Sequence, residues 1–218
     1  MSGDGYHPPL EEYLEAVLEL EEEGATVIQA RLAERVGHSA PSVSEMVRRL
    51  RSEGYIEGDG RALSLTDRGR RVAESVVRKH RLAERLLTDV IGLPWERAHL
   101  EACRWEHVIS DEVEARLVAL LDNPSTCPHG NPIPGTVGSD RRTWPLAQVA
   151  VGDVVTLRRV TEQIELDLEQ LSFLAEHGFT PGAEATVSER SPDGTLTLDV
   201  AGDSMALGPA LASCLFVS

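Results

Sequence analysis

The sequence predicts a mainly α-helical chain that ends in a small β domain. Three observations lead there. In the first 65 residues, three amphipathic helical stretches precede two short alternating runs set around Gly58-Asp59-Gly60-Arg61. From about residue 67 to 121, apolar residues recur at helical spacing. From Val151 onward, short runs such as Val154-Val155-Thr156-Leu157, Ala185-Thr186-Val187 and Leu196-Thr197-Leu198 are parted by Gly, Pro and Asp. Three helices followed by a hairpin make the outline of a winged helix-turn-helix. The last segment suggests a small β-barrel.

Each element has its own local justification. Pro8 and Pro9 open a first helix over about 10–23, with Leu10, Tyr13, Leu14, Val17, Leu18 and Leu20 on its apolar face and Gly24 as its stop. Thr26 can cap a second helix, with Val27, Ala30, Leu32, Ala33 and Val36 inward and Gly37 at its end. Ser39-Ala40-Pro41-Ser42 reads as turn and cap for a third, carrying Val43, Met46, Val47 and Leu50 to Gly54. Tyr55-Ile56-Glu57 and Ala62-Leu63-Ser64-Leu65-Thr66 alternate like hairpin strands. A long helix starts at Thr66 or Asp67 and breaks at Gly92. Another spans about 95–108, and Ser110 caps a last one through Val113, Leu117, Leu120 and Leu121. Residues 123–145 hold five prolines and three glycines without periodicity, so they read as a linker. The predicted division is a DNA-binding winged helix over 1–74, a helical domain over 75–122, a linker over 123–145 and a β domain over 146–218.

Composition narrows the function. No apolar run approaches the roughly 18–20 residues needed to span a bilayer, and MSGDGYHPPL lacks the basic-then-apolar pattern of a secretion signal. Three widely spaced cysteines argue against a disulfide framework and for a reducing compartment, so the cytoplasm is the expected location. The net charge of −15 is unevenly spread. Residues 26–79 hold 11 Arg and Lys against 7 Asp and Glu, a net of +4, whereas residues 143–218 hold 3 against 11, a net of −8. A basic segment within an acidic chain can touch phosphate while the remainder keeps non-specific DNA binding weak.

In a helix-turn-helix the second helix of the motif enters the major groove with its first residues against base edges. Here those residues are Ser39, Pro41, Ser42, Ser44 and Glu45. Arg48, Arg49 and Arg51 behind them can reach phosphates, and Arg61 at the hairpin tip suits a neighbouring phosphate or the minor groove. With little Asn, Gln or Arg at the leading positions, few bidentate base contacts are expected, and DNA shape carries more of the readout. A winged helix that binds only protein is the bland alternative.

Chemically, the densest stretch is residues 80–107, which carry His80, Glu84, His99, Cys103, Glu106 and His107. His80 and Glu84 are i,i+4. On one continuous helix, His99, Cys103, Glu106 and His107 would sit at roughly 0°, 40°, 340° and 80°, a narrow stripe. Imidazole, thiolate and carboxylate together suit a first-row divalent cation. Singly, each has an ordinary role: a core histidine, a helical salt-bridge carboxylate near Arg81, Arg85 or Arg104, a small buried thiol. Their coincidence in one short region favours a metal site.

The strings Arg78-Lys79-His80-Arg81-Leu82-Ala83-Glu84-Arg85-Leu86-Leu87, Glu101-Ala102-Cys103-Arg104-Trp105-Glu106-His107 and Gly130-Asn131-Pro132-Ile133-Pro134-Gly135 resemble the iron-dependent regulators of the diphtheria toxin repressor family. The likeness covers essentially the whole chain, including Glu21-Glu22-Glu23-Gly24 and the turn from Ser39 to Ser44. It implies a winged helix, a helical dimerisation domain with two metal sites per subunit, an SH3-like domain, and a homodimeric metal-activated repressor of a palindromic operator controlling metal-homeostasis genes. Carried over by position, it implies one site of His80, Glu84 and His99 completed by Glu162 and Glu165, and a second of Glu12, Cys103, Glu106 and His107. Iron-dependent members carry Met where this chain has Glu12, and usually Gln where it has Glu165. Manganese-transport regulators carry Asp at the position of Glu12 and Glu at that of Glu15, and a carboxylate at that of Cys103. The first helix thus leans towards Mn(II), with Fe(II) the alternative. A metallohydrolase and a metal-independent winged-helix regulator remain as competing readings, although no HExxH is present. No role attaches at this stage to Cys127, His129 or Cys214.

Overall fold

The computed structural model describes residues 9–58, 61–136 and 142–218; Pro8 and the Asp59-Gly60 hairpin tip lie outside the described residues. Two compact units emerge: Met1–His80 with Cys103–Arg116, and Arg81–Ala102 with Leu117–Ser218. Among the described residues, no helix is long and apolar enough to cross a membrane.

The first unit holds α1 (Pro9–Glu22), α2 (Gln29–Val36), α3 (Ala40–Ser52), and an antiparallel hairpin of β1 (Ile56–Glu57) and β2 (Ser64–Leu65), with Ile56 paired to Leu65. Ser39 caps α3, its Oγ accepting the Ser42 N–H at 3.4 Å. Thr26 does not cap α2: the N-cap is Ile28, with no side-chain bond, and the Thr26 carbonyl accepts from Arg31 instead. Ala30 is exposed rather than inward. It stands two residues, about 200°, from buried Leu32, so the two cannot share a face. Tyr13, Leu14 and Val17 of α1, Leu32 of α2, Val43, Val47 and Leu50 of α3, and Leu63 and Leu65 of the hairpin form one core. Each such side chain contributes about 1.5–3 kcal/mol by burial. Through this core the position of α1 is tied to that of α3.

α4 (Asp67–Arg85) begins at Thr66, whose Oγ1 accepts the Gly69 N–H at 3.1 Å. After Arg85 the chain widens into a π-helical turn, Leu86–Ile91, and Gly92 ends it at φ +78°. The helix predicted over 95–108 is cut short. A 3-10 turn, Trp95–Arg97, leads into α5 (Ala98–Ala102), and residues 103–108 are turns. α6 (Asp111–Leu120) follows, with Ser110 Oγ accepting the Val113 N–H at 3.3 Å. In the first unit, Arg78–Glu114 at 2.7 Å and Lys79–Asp111 at 3.0 Å fasten α4 to the start of α6.

The second unit closes around a six-stranded antiparallel sheet in the order β3-β8-β4-β5-β6-β7. Its strands are β3 (Trp144–Pro145), β4 (Val154–Val160), β5 (Glu184–Arg190), β6 (Leu196–Val200), β7 (Asp203–Leu207) and β8 (Leu215–Val217). Two short helices, α7 (Glu162–Glu165) and α8 (Leu168–Glu176), follow β4, and α9 (Pro209–Cys214) precedes β8. Bulges between Leu157 and Arg159 and between Val187 and Glu189 bend the sheet. Leu157, Leu171, Leu174, Phe179, Val187, Leu198 and Leu215 lie at its centre.

Within the segment read as a linker, residues 127–133 are packed rather than loose. Cys127, His129, Asn131 and Ile133 are buried, and Cys127 N–H bonds Asn131 C=O at 2.8 Å. Apolar periodicity is missing because the segment is a folded loop pressed against β4, with the Val160 N–H on the His129 carbonyl at 2.9 Å. That approach needs Gly130. Its φ is +91°, and a Cβ there would stand 1.9 Å from the Arg158 carbonyl oxygen. Gly130→Ala is therefore expected to destabilise the chain by about 2–4 kcal/mol. Thermal unfolding measures it, and an unchanged melting temperature would contradict the close approach.

Candidate metal centres and DNA-reading face

In the first unit, α1 presents Glu11 and Glu15 one turn apart, and α4 presents His80. Glu106 Oε2 lies 2.5 Å from His80 Nδ1, and Glu106 Oε1 lies 3.0 Å from His107 Nε2. Glu15, His80 and Glu106 bring ligand atoms within 4.8 Å of one another. Neighbouring residues on an α-helix point about 100° apart. Glu106 can meet His107 because the helix has already ended at Ala102. His107 Nδ1 in turn bonds Glu11 Oε2 at 2.8 Å.

The electrostatics favour added positive charge. Glu15 is raised well above the usual carboxylate range, first by burial and then by the charges of Glu106 and Glu19. Burial also works to raise Glu106, but His80 and His107 outweigh it and hold it at about 2. His107 is raised: burial opposes its charged form, and Glu106 and Glu11 overcome that.

In the second unit, α7 projects Glu162 and Glu165, i,i+3, to one side. His99 Nδ1 stands 3.0 Å from Glu165 Oε2, 3.4 Å from Glu162 Oε2 and 3.5 Å from Glu84 Oε1. His129 Nδ1 stands 3.1 Å from both Glu84 Oε1 and Glu165 Oε2. Its other nitrogen, Nε2, donates to the Trp95 carbonyl at 3.1 Å. That carbonyl fixes the tautomer and leaves Nδ1 to face the carboxylates, the orientation a ligating imidazole needs. Asn131 Nδ2 donates to Glu165 Oε1 at 2.6 Å, and Arg81 donates to Glu162 Oε1 at 2.9 Å and to the Pro132 carbonyl. Cys127 also lies within ligand reach of Glu84 and His129, although burial and then the Glu84 charge push its thiol up to about 12.

Three carboxylates, two imidazoles and a guanidinium thus share one interior. Burial of His129 opposes its charge, yet Glu165 and Glu84 raise it well above its ordinary value; burial works to raise Glu165, and His129 holds it low. The raised His129 brings positive charge towards Glu84 and Glu165. This donor set, hard oxygens with imidazole nitrogens, fits a first-row divalent cation.

Of the residues singled out from sequence, Glu84, His99, Glu162 and Glu165 come together in the second unit, and His80, Glu106 and His107 in the first. Cys103 belongs to the first unit and is half-buried. The single helical stripe through His99 and His107 does not form, because His99 is on α5 and the other three follow the break. Glu12 is half-buried and makes no hydrogen bond or ion pair among the described residues; Glu11 is the α1 carboxylate on His107. Sequence reasoning gave no role to Glu11, His129 or Asn131. The Cys127-Pro128-His129 spacing was the available signal for the second.

The residues expected from sequence to read DNA are, with one exception, exposed. Ser39, Pro41, Ser42, Glu45, Arg48, Arg49, Arg51 and Arg61 are exposed and Ser44 is half-buried, while Val43, Val47 and Leu50 face the core. Arg49 pairs with Glu53 at 2.7 Å, and Arg51 donates to the Gly58 carbonyl at 3.2 Å.

Residues 7–61 match the family described as iron dependent repressor, N-terminal DNA binding domain, and residues 66–135 match iron dependent repressor, metal binding and dimerisation domain. Residues 144–218 match the FeoA domain. The chain is 46% identical over 204 residues to the iron-dependent repressor IdeR of Mycobacterium tuberculosis, covering 88% of each. It is 42% identical over 212 residues to the diphtheria toxin repressor of Corynebacterium diphtheriae, covering 93% of each. Among solved structures it is similar to a manganese-dependent transcriptional repressor in complex with manganese, with a TM-score of 0.86, 32% identity, and 95% of this chain and 98% of that one covered. The manganese regulator SloR follows with a TM-score of 0.79, 31% identity, and coverage of 97% and 99%.

The chain belongs to the iron-dependent repressor family. It is a DNA-binding, dimerising, metal-dependent transcriptional repressor with an SH3-like carboxy-terminal domain, and not an enzyme, so the metallohydrolase reading falls.

The raised values at Glu15, His107 and His129 carry a sign that can be checked. Each group's stabilisation is fully present below its unfolded value, about 4.3 for Glu and 6.5 for His, and is lost as pH rises through the folded value. The melting temperature of chelator-treated protein is therefore expected to fall as pH rises above about 6.5. With Mn(II) present it should rise over the same interval, because the cation competes with those protons. A metal-free melting temperature that climbs with pH would contradict these assignments.

Proposed function

We propose that the chain is activated by Mn(II), with Fe(II) as the second candidate, through two cation sites per subunit, and that the homodimer then binds a palindromic operator of metal-homeostasis genes in the cytoplasm. The observation that carries this reading is the pair of donor sets, Glu15–His80–Glu106 beside His107, and Glu84–His99–His129 beside Glu162 and Glu165. Carboxylates and imidazoles dominate both, with no thioether, which favours Mn(II) relative to softer ions. Intrinsic affinity still ranks Mn(II) below Fe(II), so the number of hard ligands and cellular supply must decide. The division into 1–74, 75–122, 123–145 and 146–218 is kept as the functional one.

A cation held here would supply two positive charges to this acidic cluster. Glu15, with Glu11 or Glu12 beside it, anchors α1; His80, Cys103, Glu106 and His107 provide the facing side. Since α1 shares its core with α3, fixing α1 fixes the recognition helix. In a two-fold dimer that sets the spacing of the two α3 helices against half-sites about 34 Å apart. Left without a cation, Glu15 and Glu106 repel, and the binding-competent pose is the less populated one. In the second unit, Glu84, His99 and His129 draw Glu162 and Glu165 of α7 inward and stiffen that unit.

Operator binding followed by fluorescence anisotropy, titrated with Mn(II), Fe(II) and chelator, tests this reading. Glu15→Ala is expected to raise the Mn(II) needed for half-maximal binding at least about tenfold, equivalent to one lost charged ligand contact, with dimerisation intact. Glu12→Ala compares the two α1 carboxylates: an equal loss makes Glu12 a ligand. An operator complex that forms equally well in chelator would overturn the proposal in favour of a metal-independent regulator.

A further inference from the structure

We propose that Glu45 reads the exocyclic amino group of a cytosine in the major groove and so specifies one base pair in each operator half-site. The inference rests on the proposed operator binding by α3. Ala40, Pro41, Ser42 and Glu45 are exposed in the first two turns of that helix, while Val43 and Val47 are buried beneath. Pro41 and Ala40 offer only apolar surface, and serine hydroxyls both donate and accept. Glu45 is the one acceptor-only group among these leading residues.

Its surroundings sharpen the point. Glu45 lies within residues 26–79, a stretch of net charge +4, one turn before Arg48 and Arg49, and it makes no hydrogen bond or ion pair among the described residues. Arg49 is already held by Glu53 at 2.7 Å, and Arg51 by the Gly58 carbonyl. Glu45 borders an open hollow shared with Tyr13, His38, Ser42, Met46 and Arg49 rather than packed core, and Arg49 bonds Glu53 there instead of Glu45. A carboxylate brought against DNA loses water and gains a negative neighbour in every phosphate. Only a donor on a base edge can offset that.

The major groove offers two such donors, cytosine N4 and adenine N6. Beside adenine N6 lies the N7 acceptor, which repels the second carboxylate oxygen. Guanine presents O6 and N7, and thymine presents O4 and a methyl group, so both are rejected. Cytosine remains the base that satisfies the group. Rejection of the others gives specificity through an unpaired buried charge as well as through the bond itself.

Selection from a randomised duplex library by the full-length protein with Mn(II) tests the assignment. The wild type is expected to enrich a cytosine at one symmetric position per half-site, by about tenfold over the other bases. Glu45→Ala should flatten that position alone, and Glu45→Gln should move it to adenine, whose N6 and N7 suit an amide. Identical base profiles for wild type and both variants, with Mn(II)-dependent selection intact, would overturn the role of Glu45 and leave the repressor reading standing. If the wild type enriches no sequence with Mn(II), the operator-binding reading fails and this inference with it.

Discussion

Carboxylates held out of water are the constraint around which both units are arranged. Glu84 and Glu165 are fully buried, and Glu106 and Glu162 nearly so. An isolated buried charge is far more expensive than any one packing contact, so each must be met by a cation or a donor. In the second unit the partners are His99, His129, Asn131 and Arg81, drawn from α4, α5 and a proline-rich loop. In the first they are His80 and His107. Removing any partner leaves a charge exposed to its own kind. Added positive charge would therefore stabilise both clusters, as the proposed cation sites require.

The backbone irregularities follow from the same demand. The helix ends at Ala102 so that Glu106 can face both His80 and His107. Loop 127–133 is ordered because His129 must enter the interior, and Gly130 has no side chain because that loop lies on β4. α7 is only four residues long, yet it turns two carboxylates to one side and Ile164 to the sheet core. The short pieces carry the chemistry, and the long helices hold them apart.

Much of this was legible from residues alone, and the exceptions have physical causes. The three helices and hairpin followed from apolar spacing and the Ser39 cap, both local signals. So did the candidate ligands, since His, Cys and Glu are seldom gathered in one short stretch by chance. Helical periodicity did not reveal the break after Ala102, since apolar spacing carries no record of His80, the distant partner that Glu106 meets beyond it. Nor could it separate Glu11 from Glu12, which differ by about 100° around α1. His129 was hidden by its company: proline and glycine signal a loop but say nothing about whether the loop is buried. Thr26 had the chemistry of a cap, but the helix begins three residues later. The acidic total charge concealed the basic stretch over residues 26–79, where phosphate contact is possible because charge acts locally.

Anomalous diffraction at the manganese edge from crystals grown with Mn(II) tests most directly the proposal that two divalent cations complete the two buried acidic clusters. The account predicts two peaks per chain, one ringed by Glu15, His80 and Glu106 and one by Glu84, His129 and Glu165. Fully ordered crystals with no anomalous peak at either cluster would contradict it.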